Sequence, residues 1–250
     1  MGNSFHEENE LTDRPASGTS ESENANIALL TLAIPFGVVA CGLAFVKLAD
    51  EVIDGETRQF DEWVLRSLRR TDDLSVPIGP AWIREAGLDI TALGSPVVLV
   101  LMVAAVMGLM RLRGKFREMA MTAVTTMTGS LFALLLKYAM GRDRPTVVPH
   151  LREVTTPSFP SGHAMVSAVV FMTLGILATY VVQGQRAKVY CLTWAMGLTF
   201  LVGLSRIYLG VHYPTDVLAG WLAGFAWALG YWAALKFLDR HRTERQIERH

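Results

Sequence analysis

PSGHAMVSAVVFMTLGILATYVVQGQ, Pro160 to Gln185, is a Pro-Ser-Gly-His tetrapeptide followed at once by a run without a charged residue. From Ala164 to Gln185 the run is long enough to cross a bilayer core, which takes about 20 apolar residues in a helix. A helix that starts beside Gly162 aims its first backbone N–H groups outward. They lack partners within the helix and carry partial positive charge, so they suit an anion such as phosphate. Gly162 lets a ligand approach the backbone closely, and His163 can exchange a proton near neutral pH. Taken alone, the tetrapeptide also fits an ordinary helix cap.

Five more uncharged runs lie at residues 27–46, 91–110, 119–136, 189–205 and 217–235. Buried helices of soluble proteins are rarely so long and so free of charge. The chain has 250 residues, 51% of them hydrophobic, and no net charge. These features predict an all-α polytopic membrane bundle with six transmembrane helices. The Met119 and Val189 runs are short, and snorkelling Lys137 and Arg206 extend them. Residues 1–26 are polar and acidic and read as a disordered tail. Residues 47–90 form a long polar connection, and residues 239–250 a basic tail. Within the connection Phe60, Val64, Leu65 and Leu68 recur at helical spacing, which fits a short amphipathic helix on the membrane surface or a solvated one. Trp82 fits an interfacial anchor, as Trp221, Trp227, Tyr231 and Trp232 fit lipid-facing or interfacial bulk.

Basic residues set the orientation. Arg111, Arg113, Lys115 and Arg117 crowd one loop, Arg186 and Lys188 another, and Lys236, Arg240, Arg242, Arg245 and Arg249 the C-terminal end. With six spans all three lie on one side, so both termini are cytoplasmic and 47–90 is extracytoplasmic. The loop 138–162 and the turn 206–215 then share that outer face. Cys41 and Cys191 both fall inside spans, which argues against a disulfide framework. No basic stripe suggests a nucleic-acid partner. Gly220 and Gly224 are a small-residue pair suited to close helix packing, within the chain or between copies.

Two clusters join the tetrapeptide on the outer face. One is Lys137, six residues, then Arg144-Pro145. The other is Ser205-Arg206, five residues, His212, three residues, Asp216. Order, spacing and residue types of the three clusters resemble the signature of the type 2 phosphatidic acid phosphatase superfamily, which also contains vanadium haloperoxidases and bacterial non-specific acid phosphatases. The resemblance spans residues 137–216, and the surrounding runs match its membrane branch. It implies that residues 27–238 are a six-span phosphatase domain. It also implies that His212 becomes a phosphohistidine, with Asp216 orienting it and His163 acting as general acid.

The residue types suit that chemistry. Phosphoryl transfer spreads charge over three equatorial oxygens, so it needs placed cations and N–H donors above all. Lys137, Arg144 and Arg206 supply cations, and each arginine can grip two oxygens. Ser161 and Gly162 complete the expected phosphate cradle. A carboxylate beside a histidine fixes its tautomer and favours the positive charge that grows during attack. Lys137 also fits a snorkelling anchor, and Arg142 and Arg152 fall outside the pattern as solvated or headgroup contacts. A metal site built from His150, His163, His212 and Asp216 is the rival chemistry, disfavoured by three neighbouring cations. No cofactor or metal is therefore expected.

A site at the bilayer surface suggests a lipid phosphate substrate, such as phosphatidic acid or phosphatidylglycerol phosphate. An undecaprenyl diphosphate phosphatase and a lipid phosphotransferase are the alternatives within the enzyme class. A non-catalytic lipid-binding protein is the alternative outside it, for which loss of His163, His212 or Asp216 is the expected mark. The expected location is the inner or plasma membrane, with the site facing the periplasm or exterior.

Overall fold

The computed structural model of the chain describes the backbone of residues 17–247 and the side chains of residues 33–238. Two units divide it, Met1–Ala33 and Ile34–His250, and the packed core belongs to the second. Apart from an isolated bridge between Arg69 and Pro77, regular structure among the described residues is helical. The helices are α1 (Ser17–Ile53), α2 (Arg58–Ser67), α3 (Ala81–Leu93), α4 (Pro96–Leu112), α5 (Phe116–Met140), α6 (Gly162–Thr179), α7 (Gln185–Tyr208) and α8 (Pro214–Ile247).

The helices α5, α6 and α7, and α8 as far as Leu238, each have the length and apolarity of a membrane span. A fifth arises if α3 and α4, bent by 49° across a short break, count as one broken span. The protein is thus an integral membrane helical bundle. The expected first span, 27–46, falls within α1, whose side chains are described only from Ala33 onward. Phe36, Val39, Leu43 and Val46 on that helix face outward.

At the centre stands α6, which packs against α4, α5, α7 and α8. Of its span, 61% is buried, against 22% for α5 and for α7. The environment explains the uninterrupted apolar run, since a helix walled in on all sides has no face for polar residues. Ser161 caps it through its hydroxyl, which accepts from the Ala164 N–H at 3.5 Å. Helix α5 stops at Gly141, whose left-handed φ of 61° turns the chain back over the end that carries Lys137. Gly220 and Gly224 lie against α6, where a Cβ would stand 2.7 Å from the Ser161 and the Met165 carbonyl oxygens respectively. Their small size serves packing within the chain.

Three expectations need correction. The tail read as unstructured through residue 26 is helical from Ser17, because α1 extends upstream of the apolar run; residues 1–16 lie outside the described residues. The short helix expected within 47–90 forms as α2, but it is not simply a solvated one, because it turns Asp61 and Leu65 inward, both fully buried. Phe60 and Trp63 stay exposed, so α2 is amphipathic with its inner face against protein. The aromatic residues of α8 are not all lipid-facing either. Tyr231 is buried and its hydroxyl lies 3.2 Å from the Thr122 hydroxyl, while the Trp221 and Trp227 indoles donate to the Thr199 and Thr125 carbonyls. Each has one polar atom that can be satisfied inside, which makes burial of the large apolar ring favourable.

Candidate functional site

Helix α7 ends at Tyr208, and a tight turn delivers His212 just before Pro214 opens α8. Asp216 sits in the first turn of α8, four residues on, with its Oδ2 3.4 Å from His212 Nδ1. Both side chains are essentially buried. The same Oδ2 accepts from the Tyr213 N–H at 2.9 Å and from the Ser158 hydroxyl at 2.5 Å. A negative side chain at this helix end satisfies orphan donors and complements the dipole. The carboxylate is therefore held from several directions.

Partners fix the tautomer of His212. Asp216 can only accept, so Nδ1 carries the hydrogen. Arg144 Nη1, 3.4 Å from Nε2, can only donate, so Nε2 holds a lone pair. Burial pushes His212 down to about 3, against the pull of Asp216 and with help from Arg206 and Arg144. The imidazole is thus neutral at physiological pH, and the Nε2 lone pair is engaged by the long contact from Arg144 that a phosphoryl group must displace.

The three cations come from three elements. Lys137, in the last turn of α5, is 7% exposed and donates to the Pro157 carbonyl at 2.7 Å. Arg144 donates to the Thr156 carbonyl at 2.7 Å and to the Val211 carbonyl at 2.5 Å. Arg206, in the last turn of α7, reaches the Thr91 hydroxyl at 3.0 Å. Its Nε, like Nε2 of His163, is buried and has no protein partner. Orphaned buried polar atoms are rare and expect a ligand or water.

All three cations and both histidines line one cavity of about 220 Å³, together with Gly162 at the start of α6. Ser161 and Asp216 stand directly behind that wall, joined by a backbone bond from the Ser161 N–H to the Asp216 carbonyl at 2.9 Å. The eight residues singled out in the sequence therefore converge. His150, the fourth member of the rival metal set, bonds the Pro145 carbonyl through Nε2 at 2.6 Å and does not line the cavity. The arrangement can hold a tetrahedral anion among cations and N–H dipoles, with a neutral imidazole at one side.

Several residues escaped sequence reasoning. Arg142 is not solvated. It donates to Asp216 Oδ1 at 2.6 Å and to Asp61 Oδ2 at 2.8 Å, and its head lies 4.3 Å from the Tyr213 ring. Asp61 is fully buried and also accepts from the Thr215 N–H at 3.0 Å and the Thr215 hydroxyl at 2.6 Å. Ser158 and Thr91 hold Asp216 and Arg206. The one available signal was the unexplained density of charge in Gly141-Arg-Asp-Arg-Pro145.

The PAP2 superfamily model matches residues 119–240. Phosphatidylglycerophosphatase B of Bacillus subtilis is 32% identical over 193 residues, covering 74% of this chain and 88% of that protein. The undecaprenyl-diphosphatase of Sulfolobus acidocaldarius is 30% identical over 120 residues, 44% of this chain and 53% of that one. Among solved structures, the transmembrane PAP2-type phosphatidylglycerolphosphate phosphatase from Bacillus subtilis aligns with a TM-score of 0.70 at 27% identity. The alignment covers 82% of this chain and 97% of that one.

Proposed function

Because the chain belongs to the PAP2 superfamily, we propose that it is an integral membrane lipid phosphatase that works through a phosphohistidine at His212. One observation carries the reading. His212, backed by Asp216, lines the cavity where Lys137, Arg144 and Arg206 meet the N-terminus of α6. The likeness to a phosphatidylglycerophosphatase and an undecaprenyl-diphosphatase supports the substrate class, a phosphomonoester or diphosphate carried on a lipid.

In this mechanism the three cations and the N–H groups of Gly162 and His163 at the start of α6 bind the phosphoryl oxygens, while the Ser161 N–H, held by the Asp216 carbonyl, braces that helix end. His212 Nε2 attacks phosphorus in line, an N–P bond forms, and the bond to the lipid oxygen breaks. The ring becomes positive, and Asp216 stabilises that charge. His163, whose Nε2 is unpartnered, gives its proton to the departing alkoxide. Water then attacks phosphorus as His163 takes one of its protons; the new O–P bond forms, the N–P bond breaks with its electron pair returning to Nε2, and inorganic phosphate leaves with His212 neutral again. A lipid hydroxyl in place of water gives a phosphotransferase.

The test is phosphate release by detergent-purified protein from a panel holding phosphatidic acid, phosphatidylglycerol phosphate and undecaprenyl diphosphate, with and without EDTA. Release from at least one member is expected, unchanged within about twofold by EDTA, since charge stabilisation comes from side chains. Strict dependence on a divalent ion points to the metal alternative. Preference for undecaprenyl diphosphate favours the carrier-recycling reading.

The proposed topology has six spans, α1 the first and α3–α4 the second, with both termini cytoplasmic and the site at the periplasmic or outer face. Residues 27–238 then form the phosphatase domain, 1–26 and 239–250 the cytoplasmic ends, and 47–90 the outer connection. The outward apolar side chains of α1 and the basic loops support this. A cysteine placed in 146–152 of a chain freed of Cys41 and Cys191 is expected to react with an impermeant maleimide from outside. Labelling only from the cytoplasm reverses the orientation.

A further inference from the structure

Asp61 lies outside the three motif clusters, 154 residues from Thr215 in sequence, yet it is fully buried against the start of α8. It belongs to α2, which otherwise meets the site through apolar packing, with Leu65 in one cluster with Ala164, Tyr213 and Val217. Its two oxygens hold the Thr215 N–H, the Thr215 hydroxyl and Arg142 Nη2. Arg142 in turn divides its guanidinium, one nitrogen to Asp61 and the other to Asp216 Oδ1. Asp216 Oδ2 faces His212 Nδ1 and also accepts from the Tyr213 N–H and the Ser158 hydroxyl. The four groups form one buried chain: Asp61, Arg142, Asp216, His212.

We propose that Asp61 is a positioning residue that acts through Arg142 on the Asp216–His212 pair. This rests on the reading of His212 as nucleophile. Two effects follow from the geometry. An arginine fork prefers to grip one carboxylate with both nitrogens. Asp61 occupies one of them, so Arg142 cannot close on Asp216 and draw Oδ2 from the imidazole. The second effect is charge. With His212 neutral, the chain of four carries one negative charge, and it becomes neutral when attack makes the ring positive. Without Asp61, the same step builds an uncompensated positive charge in a buried place that Arg144 and Arg206 already make positive.

The test is a cycle of Asp61→Asn, Arg142→Gln and the pair, with kcat, KM and melting temperature measured on detergent-purified protein. Asp61→Asn is expected to lower kcat about tenfold, the usual scale for a partner one step behind the reacting group, with KM within about twofold. The pair variant is expected to recover kcat to within about threefold of wild type, because the cation that Asp61 restrained is gone. A residue that only caps α8 gives no such rescue. The proposal is overturned if the pair variant is as slow as Asp61→Asn, or if Asp61→Asn melts lower at wild-type kcat. Should Asp61→Asn not fold, the pair variant decides alone, by turning over near the wild-type rate or failing to. Phosphate release by wild type and its loss in His212→Ala speak to the underlying reading, whereas rescue speaks to Asp61.

Discussion

His212→Ala is expected to abolish phosphate release, with kcat down by about 10⁴-fold or more, the scale of removing a covalent nucleophile. The substitution deletes the imidazole that Asp216 backs at the cavity wall, and no second imidazole there is held in the same way. His163 lines the cavity too, but from the first turn of α6, without a carboxylate bonded to its ring. Phosphate affinity should fall far less, because Lys137, Arg144 and Arg206 remain. Asp216→Asn is the companion experiment. Its side-chain oxygen can still accept from Nδ1, but the negative charge that stabilises the attacking ring is gone. A loss of about 10²-fold or more is expected. The pH profile carries a sign as well. Burial holds His212 down at about 3, so its neutral, reactive form is present at neutral pH and is lost only as pH falls toward that value. Any acid limb between pH 5 and 7 should therefore survive in variants that alter Asp216, being set by another group. Full activity in His212→Ala would falsify the nucleophile assignment.

How much of this was legible beforehand depends on sequence distance. The spans α5 to α8 were readable because apolar runs of that length have few other uses in a helix. The convergence of the eight residues was readable because each cluster keeps its charged and polar groups within a few positions of a helix end. Lys137, Gly162, Arg206 and Asp216 all lie in the first or last turn of a span. Asp61 and Arg142 were not. A lone acid in a polar stretch looks like any solvated carboxylate until folding places it 2.8 Å from a guanidinium 81 residues away. Helix α3 was hidden for a local reason. Pro77, Gly79 and Pro80 read as chain breakers, and the residues behind them mix Gly87 and Asp89 into the apolar pattern. The break is real, but it marks a start: Pro80 is the N-cap of α3. The tryptophans of α8 misled because an aromatic residue near a membrane has two good environments, and only packing decides between them.

Gly220→Ala is expected to cost far more activity than stability. Its new Cβ would stand 2.7 Å from the Ser161 carbonyl oxygen and 3.1 Å from the Met165 backbone nitrogen. Backbone atoms cannot rotate aside, so α8 must shift from the head of α6. Overpacking costs about 1–3 kcal/mol, of which replacing a helical glycine by alanine returns about 1 kcal/mol. The net loss of stability is therefore small. The shift, however, falls where Ser161 N–H binds the Asp216 carbonyl, the join between the phosphate cradle and the nucleophile. A misplacement of about 1 Å between reacting groups costs roughly 10²-fold in rate, so kcat should fall by that order while the melting temperature drops only a few degrees. Gly224→Ala is the control. Its Cβ meets the Met165 carbonyl oxygen at 2.7 Å, one turn farther from the site, so it should match Gly220→Ala in melting temperature and lose less than about tenfold in kcat. Equal rate losses in the two variants would mean that α8 moves as a rigid rod, and the local join at Ser161 would then have no special part in holding His212 on line.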